Sequence, residues 1–158
     1  GRLREFSPVG LASLLWAFGT ARFRSPTLWA DAAPIATCQV DRLSPQGMAV
    51  LAWAYASAQQ PSPELFRALS VAAEARVSEF SAQGLSMLLW AFARLQHPAP
   101  ALFDAAHARV VPALADFDTQ SIVMMSWAFE SVAYPAPSLM TAVPARSRMY
   151  GGVPPWPA

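Results

Sequence analysis

Apolar positions along this chain fall at helical spacing, and the whole pattern then repeats. Leu11, Leu14, Leu15 and Phe18 recur as Leu85, Leu88, Leu89 and Phe92, the i, i+3, i+4, i+7 stripe of a helix with one buried face. A second stripe follows each, seen in Leu65, Phe66, Leu69, Ala72 and Ala73, and again in Leu102, Phe103, Ala106 and Val110. Ser7, Ser44, Ser81 and Asp118 precede the first stripe at a fixed interval. Each supplies a side-chain oxygen for a free N–H of the helix start. Pro8 and Pro45 sit where a first-turn residue needs no N–H, and Pro26, Pro63, Pro100 and Pro137 open the second helix. Pro34 and Pro112 fall inside or near the end of second helices and are expected to kink or shorten them.

The period is 37 residues, set by Trp16-Ala17-Phe18, Trp53-Ala54-Tyr55, Trp90-Ala91-Phe92 and Trp127-Ala128-Phe129. Self-similarity at such a period marks stacked supersecondary units. The expected fold is therefore all-α: an α-solenoid of about four helix-turn-helix repeats over residues 1–142, the last incomplete. Residues 143–158, with Gly151, Gly152, Pro154, Pro155 and Pro157, are expected to be an irregular Pro/Gly-rich tail. Leu3 to Phe6 aligns with the close of a second helix, so the array is expected to open mid-unit.

Three faces of the first helix differ in character. Leu11, Leu15 and Phe18 should pack on the second helix, while Gly10, Leu14 and Ala17, with their equivalents, should let neighbouring backbones approach. The third stripe, Gln46, Val50, Trp53, Ser57 and Gln83, Met87, Trp90, Arg94, is the expected groove-lining surface.

Composition narrows the chemistry. Hydrophobic residues make up 54% and charged residues 13% of the chain, which favours burial against protein or nucleic acid. The formal charge is +1, every basic residue is arginine, and no continuous basic stripe is visible, so strong phosphate binding is not expected. Cys38 is expected to be a small buried apolar residue, and with one cysteine there is no internal disulfide or metal cluster. The uncharged run from Leu43 to Pro63 is broken by Ser44, Pro45, Gln46, Gln59 and Gln60 and follows the repeat, so no membrane span is expected. His97 and His107 occupy different repeat positions, and no nucleophile–base set, phosphate loop or carboxylate pair recurs. No enzyme activity, cofactor or small-molecule substrate is expected.

Two recurrent features bear on binding. Trp16, Trp53, Trp90 and Trp127 can anchor packing or stack on bases, and an aromatic present in every unit is more economically read as a structural anchor. Gln46, Gln83 and Gln120 lie in the first helical turn, where an amide can read a base edge or return to cap the helix.

The run Ser44-Pro45-Gln46-Gly47-Met48-Ala49, leading to Leu51-Ala52-Trp53-Ala54-Tyr55 and then Pro61-Ser62-Pro63-Glu64-Leu65-Phe66, resembles the octotricopeptide repeat. It is still closer in length to the heptatricopeptide repeat, and both are similar to the repeats of FAST-kinase-like proteins. The resemblance covers about Leu3 to Met140. It implies an organellar protein, mitochondrial or plastid, that binds single-stranded or ribosomal RNA in gene expression, with other protein subunits as partners. Many such proteins carry Asn three residues before the Trp; here Ser13, Val50, Met87 and Met124 stand there, and the RAP domain is absent. On that implication Gln46, Gln83, Gln120, Met87 and Arg94 are the candidate RNA contacts. The lost Asn column fits two roles: a ribosome-associated subunit, or a protein–protein scaffold with little RNA contact.

Overall fold

The computed structural model describes residues 2–23 and 25–142; the expected tail, 143–158, lies outside them. Eight α-helices are described, in four hairpins: α1 (Pro8–Thr20) with α2 (Pro26–Gln39), α3 (Pro45–Ser57) with α4 (Pro63–Ala75), α5 (Ala82–Arg94) with α6 (Pro100–Val110), and α7 (Thr119–Ser131) with α8 (Pro137–Ala142). Short 3-10 turns, Arg2–Glu5, Val40–Arg42, Val77–Glu79 and Val111–Asp116, precede successive hairpins. No strand occurs among the described residues. The odd helices α1, α3, α5 and α7 pack side by side as an inner layer, and α2, α4 and α6 form a looser outer one. This is the expected α-solenoid.

Helix starts follow the sequence closely. Ser7, Ser44 and Ser81 accept from the N–H of Gly10, Gly47 and Gly84 at 3.1, 3.1 and 3.0 Å, and Asp118 accepts from the N–H of Ser121 at 2.9 Å. That bond holds the Asp118 carboxyl below the usual carboxylate range. Outer helices are capped less well: Ser25 accepts from Leu28 N–H at 3.4 Å, whereas Ser62 and Ala99 supply no side-chain cap.

Helix ends carry a feature that sequence reading misses. Arg22, Gln59, Gln96 and Ala133, spaced at the repeat period, have φ of 51, 54, 52 and 55°. Each is the left-handed residue of a Schellman closure, with the next N–H returning five residues: Phe23 to Phe18 O, Gln60 to Tyr55 O, His97 to Phe92 O and Tyr134 to Phe129 O, at 2.8–3.0 Å. Left-handed non-glycine residues cost about 1 kcal/mol each; the two bonds and, in three units, a ring contact across the closure offset it.

Successive units are riveted by aromatics. Trp29–Tyr55, Phe66–Phe92 and Phe103–Phe129 meet edge-on at 4.9, 4.9 and 5.2 Å, each joining an outer helix to the inner helix of the following unit. The third residue of each Trp-Ala-aromatic motif from α3 onward thus serves the inter-unit core. The Tyr55 hydroxyl donates to Trp29 O at 3.1 Å, and burial pushes that phenol well above its ordinary range.

Small residues set the closest approach. Ala54, Ala91 and Ala128 are fully buried. A Cβ built on Gly19 would lie 2.8 Å from Ala54 O and 3.0 Å from Ala54 Cα. The expected small-residue stripe is therefore half of the contact; Gly19, Ala56 and Ala93 are its other half. Gly19→Ala ordinarily gains about 0.8–1 kcal/mol of helix propensity, but backbone atoms cannot yield as a side chain does, and overpacking costs about 1–3 kcal/mol. The collision wins, so the expected result is a net loss of about 1 kcal/mol in urea unfolding.

Two expectations need correction. Pro34 does not shorten α2, which runs 14 residues through it; the proline is exposed, on the face away from the inner layer. Pro112 does coincide with the early end of α6. Cys38 is exposed rather than buried, because its repeat position faces outward, as do Ala75 and Pro112.

Candidate nucleic-acid interface

Gln46, Gln83 and Gln120 are exposed, one in the first turn of each of α3, α5 and α7. The caps are made by Ser44, Ser81 and Asp118, and no hydrogen bond occupies the three amides within the described residues. Because the inner helices stack side by side, the amides form a row along one edge of that layer. The same edge holds the helix N-termini, each equivalent to roughly half a positive charge. No acidic residue stands in the first turn of α1, α3 or α5. At α7 the Asp118 cap offsets the field.

The middle of the expected stripe is closed. Met87 is only 7% exposed and Met124 2%, with Val50 half-buried. Met87 therefore sits inside the stack and offers no open contact. Trp53 and Trp90 are buried, Trp127 is half-buried, and Trp16 is 37% exposed. The indoles meet in pairs, Trp16–Trp53 and Trp90–Trp127, both at 6.4 Å and 36°. None of the three later rings lies open for base stacking. The indole N–H of Trp90 is buried and makes no hydrogen bond.

Arg94 is exposed, but in the last turn of α5. Eleven residues at 1.5 Å rise put it about 16 Å from Gln83 along the axis. The inner layer thus has two polar edges with an apolar middle, and the candidate residues do not converge on one point. The second edge also carries Arg22, Gln59 and Gln96, all exposed. The sequence does not signal them, because the left-handed position they fill is usually glycine or asparagine.

Two other arginines are spent inside the fold. Arg76 donates to Leu43 O at 2.8 Å and pairs with Glu79 at 2.9 Å. Arg109 donates to Val77 O at 2.6 Å and to Phe80 O. Leu43 and Phe80 occupy the same repeat position, so one carbonyl site is clamped in two units by arginines one helical turn apart in register.

His97 lies against Phe66 and Phe92, with ring centroids at 5.7 Å. Burial, with Arg67 nearby, holds its pKa below the ordinary histidine value. The neutral form is favoured on folding, so stability is complete above about pH 6.5 and is lost as pH falls through that value toward the folded pKa. The expected result is a lower urea midpoint at about pH 5 than at about pH 7, with His97→Phe reducing the difference.

No group of side chains able to hold a metal occurs among the described residues, and no described helix is long and apolar enough to cross a membrane. No curated protein matches the chain. Residues 2–149 match the family described as RNA-editing substrate-binding complex 6 protein. That match spans all eight helices and the whole row of amides, and the chain belongs to the RNA-editing substrate-binding complex 6 protein family.

Proposed function

We propose that this chain is a non-enzymatic, RNA-associated subunit of an organellar gene-expression complex, and that single-stranded RNA lies along the edge formed by Gln46, Gln83 and Gln120. The observation that carries the reading is the row of three exposed amides, free of internal hydrogen bonds, at the N-terminal ends of stacked helices. An amide offers both a donor and an acceptor to a base edge, and the helix termini favour nearby phosphates. The printed family description, which names an RNA-editing substrate-binding complex, supports RNA as the ligand and a multi-subunit setting. The likeness to octotricopeptide and heptatricopeptide repeats supports single-stranded RNA and a mitochondrial or plastid location, including association with a ribosome.

Binding is weak and poorly selective in this reading. Met87 and Met124 are closed to the ligand, Arg94 stands at the opposite edge, and Arg76 and Arg109 are engaged. With a formal charge of +1 and no continuous basic stripe, the salt dependence is shallow. At about 1 kcal/mol per lost hydrogen bond, Gln46→Ala with Gln83→Ala weakens binding to a panel of single-stranded RNAs roughly 30-fold. Arg94→Ala alone changes it little. Unchanged affinity in the folded double variant moves the site elsewhere.

A scaffold role with little RNA contact is the second reading, favoured by the two internally engaged arginines and by the apolar surface left open at α1. Absence of affinity in the parent chain decides for it.

A further inference from the structure

In each closure that ends an inner helix, one residue follows the left-handed position: Phe23, Gln60, His97 and Tyr134, at the repeat period. His97 and Tyr134 are the only neighbours in that series with a ring at both places. Between them lies a cleft of about 370 Å³, whose lining includes Gln96, His97, Pro98, Pro100, Phe103 and Tyr134. Small-ligand clefts run from about 300 to 1,000 Å³. His97 belongs to one unit and Tyr134 to the next, so their rings stand on opposite walls.

Both rings are half-buried. The covered part of His97 lies against Phe66 and Phe92, each at 5.7 Å. Tyr134 packs on Phe103 and Phe129, at 6.4 and 5.0 Å. The remaining surface of each ring is left to the cleft. The Tyr134 hydroxyl donates to Asp104 at 2.6 Å, which ties its wall to α6. The charges divide in the same way. Arg67 and Asp104 share a repeat position and are both exposed; Arg67 stands beside His97, and Asp104 beside Tyr134. Arg67 makes no ion pair among the described residues. At the rim, the Gln96 side-chain N–H donates to Ala93 O at 2.7 Å, which leaves the amide oxygen as an acceptor. Two ring walls, an acceptor between them and a cation on one side suit a planar group that carries an anion.

We propose that this cleft takes one unstacked base of single-stranded RNA, held between His97 and Tyr134. The Gln96 oxygen accepts from the base edge, and the adjoining phosphate turns toward Arg67. Stacking on rings accepts every base, so the subsite adds affinity without adding selectivity. It rests on RNA as the ligand but not on the row of amides at the opposite edge.

The α3–α4 unit supplies the test variants. Gln60 completes the same closure without a ring, so His97→Gln and Tyr134→Gln each remove one wall with a side chain that this closure already accommodates. Tyr134→Phe keeps the ring and loses only the bond to Asp104. Circular dichroism checks each fold. Affinity for a short oligouridylate, followed by fluorescence anisotropy, is expected to fall about 5- to 150-fold in either glutamine variant and to stay near the parent value in Tyr134→Phe. Iodouridine in the same RNA, which photo-cross-links to rings it stacks on, is expected to mark His97 or Tyr134. A folded Tyr134→Gln chain with the parent affinity, or cross-links confined to other residues, overturns the proposal. If affinity in that case still depends on Gln46 and Gln83, the row of amides stands and the base subsite alone fails. Dependence on Tyr134 without dependence on the amides keeps the subsite and removes the row. A parent chain with no affinity for RNA overturns both. A proline-rich peptide whose binding needs Tyr134, when RNA binding does not, assigns the cleft and its Pro98 and Pro100 to peptide recognition and also overturns it.

Discussion

Trp90→Ala lowers the free energy of unfolding by about 3–5 kcal/mol, the range for truncating a buried aromatic side chain. Trp90 is 4% exposed and packs on Trp127 at 6.4 Å, in a helix where every residue from Gly84 to Ala93 is buried. No neighbouring loop can collapse into the space, because both flanking elements, α3 and α7, are helices held close by fully buried alanines, Ala54 and Ala128. The loss is tempered slightly, since the indole N–H makes no hydrogen bond and its desolvation cost disappears with it. Trp16→Ala, at the open end, loses less, because that ring is already 37% exposed. Equilibrium urea unfolding of the two variants side by side checks both the magnitude and the order. Equal losses, or a stable Trp90→Ala chain that only binds RNA less well, contradict the packing role.

Arg109→Ala costs about 2–3 kcal/mol, more than an exposed arginine can account for. Its guanidinium spans the carbonyls of Val77 and Phe80 in the linker before α5, and its guanidinium carbon lies over the Phe117 ring, 6.0 Å from the ring centre. Hydrogen bonds from a charged group contribute about 1.5–3 kcal/mol, and the two part-buried carbonyls are left to find other donors. Arg109→Lys recovers only part of the loss, since an ammonium presents one point of charge rather than a fork. Thermal unfolding of both variants tests this. A loss below about 0.5 kcal/mol, typical of solvated surface positions, rules the clamp out.

How much of the molecule was legible beforehand depends on the range of the interaction involved. The row of Gln46, Gln83 and Gln120 was legible, because a first-turn position on a capped helix is fixed by local chemistry and repeats with the period. The angle around a single helix puts Met87 and Arg94 on the same surface as those amides, yet one is buried and the other stands at the far edge. Whether a stripe is open depends on how the neighbouring helices pack over it, and on this one Met87 and Trp90 are buried.

The sequence by itself determined the helices, their caps, the period and the all-α stacking, since each rests on signals within a few residues or on exact repetition along the chain. Pro8, Pro45 and the serine caps act within one helical turn, and no distant contact overrides them. Tertiary structure alone decided which arginines are engaged and which tryptophans are covered. Arg76 and Arg109 reach equivalent carbonyls from different repeat positions, so no alignment of units pairs them. Gly19 and Ala54 meet across two helices, 35 residues apart in sequence, so the closest approach of the two backbones follows from their packing and not from either helix alone.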